Sequence, residues 1–304
     1  MTAPASAAPS AVSVPRARAA RRARARISVG RIALLTFTGL VLLYLIFPVF
    51  IVAPLSFSSA KYLQFPPPGL SLQWYQSYFG RADWIAATWL SIRIGVITAV
   101  LATILGTAAA LALVRGRFPG KDAINSFIVS PLIIPTIIVA VGVYFFYARI
   151  RIIGSPFALA LAHTALAVPF VVINVSATLE GFDERLEWAA MNLGANRWQT
   201  FFKITLPIIR PGVFAGALFA FSTSFDELIV ALFVSGSGAV TLPRKMWESL
   251  RLDIDPTIAA VSTILIVISI TILASAEALR FRGERLRTAH VPDAARDAPG
   301  GAIQ

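Results

Sequence analysis

The chain has 304 residues, of which 57% are hydrophobic and only 14% charged, with a mean hydropathy of +0.75. Such a composition is too apolar for an ordinary soluble domain and reads as a membrane protein. The formal charge of +12 invites a nucleic-acid reading that the placement of the basic residues will decide, while the absence of cysteine excludes disulfides and thiolate metal sites.

In chain order, an Ala/Pro/Ser/Arg-rich tail over residues 1–28 is expected to be disordered. Six apolar stretches follow, at about 32–56, 86–114, 123–147, 156–179, 210–234 and 257–280. Each reaches or exceeds the roughly 20 residues that a helix needs to cross about 30 Å of hydrocarbon. Pro48, Pro54, Pro131, Pro135 and Pro169 fall inside them and are predicted to kink the helices, since packed membrane helices re-satisfy the freed carbonyls. Residues 285–304 form a second disordered tail. The expected architecture is all-α, with a six-helix transmembrane domain over residues 29–284 interrupted by a long loop at 181–210.

Charge placement sets the orientation. With the amino terminus inside, the inner segments hold 19 of the 27 Lys and Arg residues, seven of them before the first span. The outer segments hold seven, Lys61, Arg81, Arg149, Arg151, Arg244, Lys245 and Arg251, and Arg93 lies within a span. The positive-inside rule therefore puts both termini in the cytoplasm, and with the basic excess explained by topology no nucleic-acid partner is expected. The Arg-rich start resembles a twin-arginine signal, but its apolar run is too long for a signal core and no small-x-small site follows.

Most catalytic readings fail on inspection. In "GRFPGKD" the residue that would open a phosphate loop is Arg115 rather than Gly, and Asp122 replaces the magnesium-binding hydroxyl. His163 has no nearby acid and reads as a hydrogen-bonded packing residue; with His290 far off, no metal site is indicated. Arg93 reads as snorkelling outward, and Gly212 and Gly216 as a close helix approach. Asp226 and Glu227 are more demanding. They are predicted well inside the fifth span, where an acid costs about 2.5 to 3.5 kcal/mol, and read either as a cation-attracting solute path or as a polar contact between helices. Outside, "TLPRKMWESLRLDIDPT" reads as an amphipathic surface helix that lies on lipid, caps the bundle or receives a soluble partner.

The loop is the richest segment. "ERLEWAAMNL", a turn at Gly194 and "RWQTFFKI" before Pro207 predict two short helices. Leu186, Ala189, Ala190 and Leu193 make one apolar face and Trp198, Phe201 and Phe202 another, which suits docking or lying flat on the membrane. Ala189, Ala190, Gly194, Ile204, Leu206 and Pro207 stand at the spacing of the E-A-A…G…I-x-L-P loop, and here the segment resembles the cytoplasmic loop of binding-protein-dependent ABC importer permeases. The departure is at the first position, where Trp188 replaces the usual Glu and Glu187 lies one residue earlier.

That resemblance extends from about residue 30 to 284 and looks like the polyamine branch. It implies the type I ABC importer permease fold and a multi-pass position in the bacterial inner membrane. The loop would seat on an ATPase subunit through Glu187, Trp188, Ala189, Ala190, Gly194, Ile204, Leu206 and Pro207. The implied partners are two ATP-binding subunits, a second homologous permease, a periplasmic solute-binding protein and membrane lipid. This chain would be non-catalytic and bind no cofactor, with ATP and Mg held by the ATPase, while Asp226 and Glu227 line the path of spermidine or putrescine. An opine- or thiamine-like solute, or an ion-coupled carrier using the two acids as a relay, are the competing expectations.

Overall fold

The computed structural model describes residues 29–236, 238–252 and 255–271; both tails and the end of the sixth apolar stretch lie outside the described residues. The chain divides into two compact units at Phe50 and Ile51. In the first, α1 (Val29–Ser56, which continues into the second) exposes Leu34, Phe37 and Tyr44.

The second unit holds α2 (Gln73–Gly80), α3 (Ala82–Arg115), α4 (Lys121–Val129) and α5 (Thr136–Arg149). It continues with α6 (Pro156–Glu180), α7 (Arg185–Asn192), α8 (Arg197–Thr200) and α9 (Leu206–Asp226). α10 (Ile229–Val234), α11 (Leu242–Leu252) and α12 (Thr257–Thr271) complete the described part. Apart from one isolated bridge between Ser58 and Leu70, the described residues carry no β structure.

Four described helices are long and apolar enough to cross a membrane, or five if the bent pair of α4 and α5 is one span. That pair corrects the expectation of a single kinked helix at 123–147: the axis turns by 102° at the break between Leu132 and Thr136. Pro131 and Pro135 lie at the break, where each removes a backbone donor and Pro135 stands immediately before the first residue of α5. Pro169, by contrast, sits inside an unbroken α6. Local signals start that helix: Ser155 accepts the Ala158 N–H at 3.0 Å, and Pro156 occupies the first turn, where its missing donor is not needed.

α3, α6 and α9 pack on one another and form the centre of this unit. In lipid the hydrophobic effect does not draw helices together, so close backbone approach has to. A methyl on Gly106 would stand 2.6 Å from Val171 Cβ, and one on Gly216 3.0 Å from Val171 Cα. The predicted small-residue contact is thus present, with Val171 between two glycines. Around it lie Ala102, Ala110, Ala167, Val175 and Ile209, all fully buried.

A polar chain threads the same three helices. Thr98 donates to the Ala160 carbonyl at 3.3 Å and Ser224 donates to Thr98 at 3.2 Å, leaving the Ser224 oxygen to accept from His163 Nδ1 at 2.9 Å. This directionality sets the tautomer and leaves Nε2 a buried acceptor without a partner. His163 is therefore the packing residue that the sequence predicted.

Candidate coupling surface and solute groove

The 34 residues of α3 put its two ends about 50 Å apart at 1.5 Å per residue. One end meets the loop helices and the other meets α11, so the two candidate sites lie at opposite ends of the bundle.

At the loop end, Gly194 has φ +90° and sends the chain from α7 into α8, whose start carries a reciprocal capping box between Asn196 and Gln199. A five-residue π-turn, Phe201–Thr205, then leads into α9. The fifth span therefore begins its helical run at Arg197, earlier than the expected 210. Trp188 is 57% exposed, Leu193 89% and Trp198 73%, and the Trp198 ring stacks on Phe202 with 6.2 Å between centroids. Ala189 and Pro207 are exposed as well, while Ala190, Ile204 and Leu206 are half-buried. These residues form an apolar surface of aromatic and aliphatic groups.

Glu187 differs from the rest of this set. It points inward, with both carboxylate oxygens 2.6 Å from Arg115 Nη1, and Oε1 also accepts from the Thr205 hydroxyl. The acid displaced by one position thus makes an ion pair after all, within the chain. Arg115 and Thr205 carry no sequence signal for this, since 72 residues separate Arg115 from its partner.

At the other end α9 stops at Asp226, and Glu227 is extended with ψ 110° before α10 begins. This corrects the placement of the two acids well inside the fifth span: they occupy a break between helices. Their roles divide there. Glu227 Oε1 accepts the Val230 N–H at 2.9 Å in the first turn of α10, whereas Asp226 lines a groove of about 340 Å³ with Phe225, Met246, Trp247 and Leu250. A carboxylate beside an indole and a thioether, on otherwise apolar walls, suits a cation with a hydrocarbon body.

The outer helix α11 packs on the bundle, as the cap reading expects. Its Leu242 N–H donates to Ser91 at 2.8 Å, and Lys245 pairs with Asp83 at 2.7 Å. Arg81 bridges Asp83 at 3.0 Å and Asp255 at 2.6 Å, and Arg81 and Lys245 both lie within 6 Å of the buried Trp84 ring, at 5.8 and 5.9 Å. Hydrogen bonding to Asp83 holds the Arg81 guanidinium above its ordinary pKa. Burial pushes Asp255 up, but hydrogen bonds from Thr257 and Arg81 outweigh it and hold the carboxyl below its usual range. Among the described residues, no cluster of three His, Cys, Asp or Glu side chains is arranged to hold a metal.

The chain is similar to known transport proteins over most of its length. It is 37% identical to the putrescine transport system permease protein PotI of Escherichia coli K12, covering 77% of this chain and 84% of that protein. It is 33% identical to the spermidine/putrescine transport system permease protein PotC of Haemophilus influenzae, covering 78% and 92%. Its fold matches a chain in the crystal structure of a bacterial ABC transporter involved in the import of the acidic polysaccharide alginate, with a TM-score of 0.69 at 15% identity over 83% of this chain. Residues 102–282 match the family of binding-protein-dependent transport system inner membrane components, to which this chain belongs.

Proposed function

We propose that the chain is the membrane permease subunit of an ATP-driven importer whose solute is a polyamine such as putrescine or spermidine. The observation that carries the reading is the loop end, where an exposed apolar surface of Trp188, Leu193, Trp198 and Phe202 sits on a glycine-turned helix pair continuous with a spanning helix. Such a surface suits the grip of a separate ATPase, two copies of which would hold the ATP and Mg. This chain hydrolyses nothing; a second homologous permease and a periplasmic binding protein complete the assembly. The apolar stretches of the sequence support six spans, and its charge asymmetry supports a cytoplasmic position for both termini.

The polyamine assignment is supported by the printed activities of the PotI and PotC relatives and by the chemistry of the Asp226 groove. The test is uptake of labelled putrescine by proteoliposomes containing this chain with its ATPase, a second permease and a solute-binding protein. Uptake that needs ATP, the ATPase and the binding protein is expected. Uptake without the ATPase would replace the reading with an ion-coupled carrier.

A further inference from the structure

We infer that Arg115 is a positioning residue for energy coupling: through Glu187 it fastens α7 to the ends of α3 and α9, so that displacement of the loop moves both helices together. The inference rests on the coupling-loop reading of α7 and α8 and adds the element that transmits their movement.

The argument begins with what does not hold α7. No residue of this eight-residue helix is buried, so packing alone leaves it free to shift. Glycine at φ +90° follows it, and the bend at Gly181 and Phe182 precedes it. Its polar tether is one carboxylate. Glu187 is bound by the last residue of α3 and by Thr205, the last residue of the π-turn that leads into α9.

The arginine is itself fixed. Its guanidinium lies over the Phe182 ring at 5.2 Å, and the ion pair leaves only 24% of the Arg115 side chain and 14% of that of Glu187 exposed. Four segments thus converge on one ion pair: the end of α3, the turn after α6, α7 and the π-turn. A surface salt bridge would be too weak and too loosely oriented to transmit movement, whereas a half-buried pair with a third ligand is directional.

Two measurements test this on the full chain, which has no cysteine of its own. First, spin labels at Leu193→Cys on the loop and Leu105→Cys on α3, both exposed, report the loop-to-bundle distance in the chain alone. Arg115→Gln should broaden that distance distribution; an unaltered one overturns the inference. Second, in the complex assembled with its ATPase, Arg115→Gln and Glu187→Gln should each lower solute moved per ATP hydrolysed by roughly tenfold. The exchange of Arg115→Glu with Glu187→Arg should recover part of the loss, which a generally weakened fold would not do. ATPase retained by Arg115→Gln with a wild-type transport ratio sinks the positioning role. ATPase absent even from the wild-type preparation sinks the coupling-loop reading, and the inference with it.

Discussion

Three single residues, Gly194, Asp226 and Glu227, test the loop end and the groove. Gly194 has φ +90° with open space where a side chain would stand, so a substitution there meets conformational strain and no clash. Gly194→Val should cost about 1 to 3 kcal/mol locally and reduce the ATPase that copurifies, whereas Gly194→Asn should retain most of it because Asn tolerates left-handed backbone. Equal retention by both variants would show that the turn does not matter for docking. In the groove, the neighbours Asp226 and Glu227 should separate in an uptake assay. Asp226→Asn removes the carboxylate from the groove and should lower uptake efficiency by roughly tenfold, about 1.4 kcal/mol. Glu227→Gln keeps an oxygen for the Val230 N–H and should be milder; the reverse order would place the solute at Glu227.

Among whole elements, the contact of α6 with α9 depends on missing side chains. A methyl at Gly212 would overlap Thr178 Oγ1 and stand 2.8 Å from the Asn174 carbonyl oxygen. The hydroxyl can rotate away but the carbonyl cannot, so Gly212→Ala should destabilise by about 1 to 3 kcal/mol. Gly142 in α5 has nothing within 4 Å of that position, and Gly142→Ala should be neutral or stabilise by about 0.5 to 1 kcal/mol through helix propensity. The thermal midpoint in detergent should therefore fall for Gly212→Ala and hold or rise for Gly142→Ala. The helix breaks follow another logic: the turn of 102° between α4 and α5 uses two prolines, while the break at Glu227 has no proline at all and is closed by the side chain of that residue.

Across the whole second unit, the end opposite the loop is joined by charge. Arg81, Asp83, Lys245 and Asp255 connect the starts of α3, α11 and α12 around Trp84. A carboxyl whose folded pKa lies below its unfolded value contributes stability above the unfolded pKa and loses it as pH falls through the folded one. Asp255 is such a group, and Arg81, held above its ordinary value, stays charged throughout. The contribution of Asp255 to the midpoint should thus be constant from neutral pH to the ordinary Asp range near about 4 and decline only below it. That contribution is the difference between the wild type and Asp255→Asn; a difference that already shrinks near neutral pH would exclude the mechanism.

The sequence by itself determined the apolar helical class, the glycine-turned loop with its two apolar faces, the packing role of His163 and the close approach at Gly212 and Gly216. Each of these is written in local spacing, which a helix or a turn reads directly. Tertiary structure alone decided that Glu187 pairs with Arg115, that Asp226 and Glu227 stand at a helix break with different contacts, and that the outer helix packs on the bundle. These depend on which distant segments meet, and an ion pair across 72 residues leaves no periodicity to find. Hydropathy measures how greasy a stretch is but not where its backbone bonds are interrupted: Pro131 and Pro135 mark the turn after Leu132 only as a kink, and the break after Asp226 has no proline to mark it at all.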